Sequence, residues 1–170
     1  MSILVPDTSG LVSLGIVAGK PPDPLSICLT RYEVVVPTAV IDELQDIAAY
    51  EDTHGNAATL VLDQTDSMTT QSVVLDKEFL LDAGENAAVT LANEIDAAVL
   101  LCDEFTQIGL LHASLADTRL ITTPTLLSVL VRTDTLPPKE ARTLLAEISE
   151  ERSWSANSYV QRARSLLAEE

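Results

Sequence analysis

The sequence predicts an α/β domain: a central, mainly parallel sheet with helices on both faces and extra helices at the C-terminal end. Three observations predict it. Short apolar runs alternate with longer segments whose apolar residues recur at helical spacing, the signature of strand–helix–strand units. The strand-like runs are apolar at successive positions, as in strands buried on both faces. Beyond residue 122 only helical segments follow.

The elements run in the following order. "SILVP" (2–6) reads as a buried strand. "SGLVSLGIVAG" (9–19) reads as a helix, which "KPPDP" (20–24) stops because proline lacks the amide hydrogen and restricts its predecessor. "YEVVVP" (32–37) is a second strand, closed by proline. Segment 38–51 is a helix, with Val40, Ile41, Leu44, Ile47 and Ala48 at helical spacing. Segment 53–68 is another helix and "SVVLD" (72–76) a third strand. An alanine-rich helix (83–96) leads to a fourth strand, "AAVLLCD" (97–103). A helix to about residue 116 leads to the fifth, "TRLIT" (118–122). Helices at 125–133, 138–151 and 155–168 complete the chain. "TDTLPPKE" (133–140) divides a core, 1–134, from a helical extension, 135–170, that is too short to be a second domain.

Composition narrows the function classes. Hydrophobic residues make up 46% of the 170, which excludes a disordered chain. No apolar run reaches the ~18 residues of a membrane span. The N-terminus has no basic stretch and enters a strand at once, so no leader is expected. Cys28 and Cys102 lie far apart in apolar surroundings and read as reduced, buried thiols, consistent with a cytoplasmic protein. The net charge is −16 and only Lys20, Lys77 and Lys139 are lysines. Acidic, lysine-poor surfaces resemble those of cytoplasmic proteins from salt-loving (halophilic) organisms. At 1 M salt the Debye length is about 3 Å, so self-repulsion is screened. Negative charge therefore does not exclude a nucleic-acid substrate.

Functional groups of open parallel sheets gather beyond the carboxyl ends of the strands. Asp7 follows the first strand, in "strand–Asp–Thr–Ser". Asp103 follows the fourth, with Glu104 beside it. Glu43 lies in "VPTAVIDEL" and Glu85 in "DAGENAAVTLA". Taken singly, each has a structural explanation: Asp7 and Asp103 as helix caps, Asp82 and Glu85 as a capping-box-like start, Glu43 as a solvated residue. Their combination and order are what single them out. Several carboxylates converging on one pocket repel each other until a hard divalent cation enters, and magnesium and manganese prefer oxygen ligands.

The four motifs in this order resemble the PIN-domain nucleases, and the resemblance covers nearly the whole chain. It implies a three-layer domain and a metal-dependent ribonuclease with Mg²⁺ or Mn²⁺ as cofactor. Asp7, Glu43, Glu85 and Asp103 match the family's four acidic positions, with Glu104 as a further acid. Asp7 and Asp103 are expected as direct or water-bridged ligands, and Glu43 and Glu85 as completing the site. Ser9, with Thr8 and Thr123, is expected to contact phosphate or support the acids. The Gly-Glu pair and the C-terminal helices are similar to the VapC toxins of toxin–antitoxin pairs. That implies an antitoxin partner and a homodimer lining a groove for single-stranded RNA.

The sequence departs from that subgroup in two places. Thr122 stands where a glycine usually precedes the threonine, and 104–118 carries no lysine or arginine. The second departure favours an alternative, a non-catalytic PIN-like module that binds RNA or protein. An acidic interaction protein with no nucleic-acid role is a third reading, and it predicts no divalent-metal site. His54 and His112 are isolated, without zinc-ligand spacing. Lys139, Arg142, Arg152, Arg162 and Arg164 read as solvated helix faces paired with Glu140, Glu147, Glu150 and Glu151, in preference to a rim that touches RNA phosphates or an acidic partner. Trp154 and Tyr159 read as docking the last helix onto the body.

Overall fold

The computed structural model describes residues 1–154 and 156–168. Strands β1 (Ile3–Pro6), β2 (Glu33–Pro37), β3 (Thr69–Gln71), β4 (Val99–Leu101) and β5 (Arg119–Ile121) form one sheet in the order β3-β2-β1-β4-β5, with every pairing parallel. The register places Val5 beside Leu100 and Val35 beside Thr69.

Alternation along these strands builds two cores. Leu4, Val34, Val36, Leu101 and Ile121 face the larger one. Its helices are α1 (Thr8–Ile16), α2 (Pro24–Arg31), α3 (Thr38–Ala48), α4 (Thr53–Leu62) and α7 (Thr123–Arg132). Val5, Val35, Leu100 and Cys102 face the other way, onto Ala88, Val89, Leu91 and Ala92 of α5 (Ala83–Glu94) and Leu111 of α6 (Ile108–Ser114). Covering both faces makes the three layers. Gly15 lets α1 and α4 touch, since a Cβ there would overlap the Ala57 carbonyl.

The C-terminal helices α8 (Pro138–Arg152) and α9 (Ser158–Ala168) join the larger core through Leu144, Leu145, Ile148, Val160 and Leu167. Phe105 meets the Trp154 ring edge-on at 5.1 Å and stacks on Tyr159 at 5.6 Å. These aromatics dock the extension onto the body, as expected. Ser155, the first residue of the expected 155–168 helix, lies outside the described residues, as do Glu169 and Glu170 at the end of 135–170.

Three expectations need correction. The third strand is Thr69–Gln71, and 72–76 has no regular structure. There the Asn86 side chain captures the Asp76 backbone: its Oδ1 accepts from Asp76 N at 3.1 Å, and its Nδ2 donates to Asp76 O at 2.8 Å. Strand pairing therefore loses those groups, and Val74 is left 88% exposed. The helix expected over 53–68 ends at Leu62, followed by a 3-10 turn, Thr65–Ser67. Helix α2 was not anticipated, although its start is written in the sequence: the Asp23 side chain caps Leu25 N and Ser26 N, and Pro24 takes the first helical position. Among the described residues no helix is long and apolar enough to cross a membrane.

Candidate active site

The chain leaves β1 towards β2 and β3, then crosses back to place β4 and β5 on the other side of β1. A crevice therefore opens beyond the carboxyl ends of β1 and β4. Asp7 stands there, 4% exposed. It occupies the N-cap position of α1 but makes no side-chain capping bond, so helix capping does not explain it. Its Oδ2 accepts instead from Ser9 Oγ at 3.2 Å and Cys102 Sγ at 3.3 Å. Ser9 Oγ in turn accepts from Asp103 N at 2.9 Å, which ties the ends of the two central strands together.

Thr8 Oγ1 donates to Glu43 Oε1 at 2.9 Å, so the residue after Asp7 holds the acid delivered by α3. The Glu43 carboxyl lies against the first turn of α5, where a Cβ on Gly84 would overlap it. This close approach accounts for the glycine of the Gly-Glu pair. Asp82 Oδ1 accepts from Glu85 N at 2.8 Å, capping α5 and fixing the turn that carries Glu85.

Asp103 is placed differently. Its Oδ1 accepts from Thr123 N at 2.7 Å and its Oδ2 from Thr123 Oγ1 at 2.6 Å. It is 4% exposed and anchors the start of α7, where the helix dipole favours a carboxylate. Thr122 caps the same helix weakly, accepting from Thr125 N at 3.4 Å.

A cavity of about 240 Å³ collects these groups. Of the residues singled out in the sequence, Asp7, Thr8, Ser9, Glu43, Glu85 and Glu104 line it. Asp103 and Thr123 are paired to each other and are not among the lining residues. Asp82, His54 and Arg152 line it without having been anticipated. Asp82 was legible only as a cap. His54 comes from α4, and its Nε2 meets the Glu151 carbonyl at 3.2 Å. Arg152 was read as part of a solvated face, and that reading fails because the end of α8 is turned into the cavity. Arg142 also departs from it, donating to the Leu167 carbonyl at 2.9 Å. Nothing in local pattern distinguished these two arginines from their neighbours; only the buried Trp154 two residues on hinted at Arg152.

Burial raises the pKa of three of these carboxyls, and the charges of their neighbours add to it. Burial pushes Asp7 above the usual carboxylate range, with Asp82 adding to it and bonds from Cys102 and Ser9 opposing. Burial also raises Glu43, against the Thr8 bond. Burial and then the charges of Asp82, Asp7 and Glu104 push Glu85 up to about 7. Between its ordinary value and 7, folded protein holds a proton that the unfolded chain releases. Stability from this group is thus full below pH 4.5 and lost as the pH rises through 7. In EDTA, the melting temperature should fall by about 3 °C between pH 5.5 and 8, for a contribution of about 1 kcal/mol after solvent screening. The Glu85→Gln variant should show a flatter profile.

The donor set is all oxygen, carried by mutually repelling carboxyls, and suits a hard divalent cation. Among the described residues, no three histidine, cysteine or acidic side chains are already drawn together as a finished coordination shell. The carboxyls fit such an ion in kind and charge.

No curated protein matches the chain. The DUF3368 model, described as PIN domain, matches residues 3–169. With that match over nearly all of its length, and with the parallel sheet and acidic crevice described above, the chain belongs to the PIN-domain family.

Proposed function

We propose that this protein is a divalent-metal-dependent ribonuclease, similar to the VapC toxins with a Gly-Glu motif. PIN domains are generally nucleases, and the observation that carries the reading is the convergence of Asp7, Glu43, Asp82, Glu85 and Glu104 on one cavity at the sheet's switch point. Bound Mg²⁺ or Mn²⁺ would supply an activated water and shield the phosphate. Asp7, Glu43, Glu85 and Glu104 would hold the ion directly or through water. Asp103 would support them from behind, through its backbone bond to Ser9 and its side-chain bonds to Thr123. Ser9 orients the Asp7 carboxyl and Thr8 the Glu43 carboxyl. In the same reading the protein works in a salt-rich cytoplasm as a homodimer, and an antitoxin blocks the acidic pocket.

The test is cleavage of a mixed RNA pool in molar potassium chloride with Mn²⁺. Cleavage that stops with EDTA and in Asp7→Asn supports the reading. Intact RNA, together with no Mn²⁺ binding by calorimetry, overturns it. Intact RNA with Mn²⁺ binding would instead favour a non-catalytic binding module, the reading suited to a 104–118 segment without lysine or arginine.

Gly84→Ala probes the same geometry. The overlapping atoms are the mobile end of Glu43, and alanine favours a helix by up to about 1 kcal/mol. Melting should stay within a few degrees of wild type. Mn²⁺ affinity should drop by about tenfold as the Glu43 carboxyl is displaced.

A further inference from the structure

Arg152 is the lysine or arginine among the described residues lining the acidic cavity, and it comes from the C-terminal extension. Three features deliver it. Ser153 ends α8 in the left-handed conformation, φ 58°, and Trp154 N donates back to Ser149 O at 2.9 Å. The Trp154 ring, 7% exposed, is wedged against Phe105, the residue after Glu104. The Arg152 guanidinium carbon then sits 5.8 Å from the Trp154 ring centroid, a cation–π contact. The His54 bond to the Glu151 carbonyl holds the same helix end from the α4 side.

The guanidinium is thus positioned by its own helix end, within electrostatic reach of Asp103, Glu104 and Asp7. One guanidinium cannot balance five carboxyls, so charge balance alone leaves its placement unexplained. An RNA phosphodiester entering this cavity meets a strongly acidic wall, and the 104–118 segment offers no lysine or arginine to draw it in. A planar, weakly hydrated fork already fixed by an aromatic ring suits a pair of phosphate oxygens and loses little freedom on binding them.

We propose that Arg152 binds the non-bridging oxygens of the RNA phosphodiester opposite the carboxylates, so that the C-terminal extension completes the active site. This rests on the nuclease reading above.

The experiment compares the full-length wild type, Arg152→Ala and Arg152→Lys in molar potassium chloride. It measures kcat and KM for cleavage of a labelled single-stranded RNA with Mn²⁺, Mn²⁺ affinity by calorimetry, and melting temperature. Arg152→Ala should lose about 100-fold in kcat/KM, and lysine should restore about tenfold of that. Mn²⁺ affinity should stay within about threefold, because removing a facing positive charge alters it only through screened electrostatics. A wild-type rate in Arg152→Ala overturns the proposal and leaves the nuclease reading standing. So does faster cleavage with much tighter Mn²⁺ binding, which would make Arg152 a plug in the cation's place. Should Arg152→Ala fail to fold, Arg152→Lys decides: a tenfold loss at unchanged melting supports the phosphate fork, and an unchanged rate overturns it. A folded wild type that neither cleaves RNA nor binds Mn²⁺ removes both readings together.

Discussion

Asp7→Asn should lower RNA cleavage by at least about 100-fold while raising the melting temperature of the metal-free protein. The two changes have one cause. Asp7 is 4% exposed, faces other carboxyls and has its pKa raised by burial, so in its ionised form it is a stability liability. Asparagine keeps an oxygen to accept from Ser9 and Cys102, which the carboxylate does now. It also removes the charge that resists burial. The metal-free variant should therefore melt higher than wild type at pH 8, and the difference should narrow as the pH falls and the native Asp7 carboxyl gains its proton. The same charge is what a divalent cation would bind, so Mn²⁺ should raise the melting temperature of wild type far more than that of the variant. Loss of cleavage with a lower melting temperature in EDTA would instead mean that Asp7 is a structural residue.

The second large effect concerns Asp103, where the two substitutions should part company. Asp103→Ala leaves the Thr123 N–H and hydroxyl without an acceptor in a site where Asp103 is 4% and Thr123 0% exposed. Each buried unsatisfied group costs about 1–3 kcal/mol, so the variant should lose about 3 kcal/mol and melt about 9 °C lower. Asp103→Asn should melt within about 3 °C of wild type. Its amide oxygen can accept from Thr123 N, and the hydroxyl can turn to accept from the amide nitrogen. Thermal denaturation of both in EDTA checks this. Equal melting of the alanine and asparagine variants would mean that the Thr123 bonds do not hold the start of α7.

Asp7 and Asp103 thus look alike in sequence, each ending an apolar run beside a hydroxyl or an acid. The fold separates them: Asp7 faces the cavity, whereas Asp103 spends both oxygens on Thr123, twenty residues further on. Capping was an equal explanation for both at the level of sequence. It fails for Asp7, which caps nothing, and describes Asp103, which anchors α7 rather than the helix that follows it.

The class of fold and most of the cavity lining were legible in the amino-acid pattern. Apolar runs beginning at Ile3, Val34 and Val99 suit strands buried on both faces, as in a parallel sheet, and the acids that follow two of them then emerge at its carboxyl edge. Gly84 was legible as part of a motif, but its reason, the Glu43 carboxyl lying where a Cβ would go, was not. The short third strand was misplaced because Thr69, Thr70 and Val73 are equally fit for a sheet edge. What decided between them was Asn86, a residue from α5 that takes the Asp76 backbone. Arg152 marks the same boundary. Helical periodicity placed it on an exterior face, but a left-handed residue at Ser153 and the burial of Trp154 against Phe105 turn that helix end into the acids. Local pattern fixes which face of an element is apolar. Contacts between residues distant in the chain decide which polar groups meet, because each depends on where another element's backbone ends.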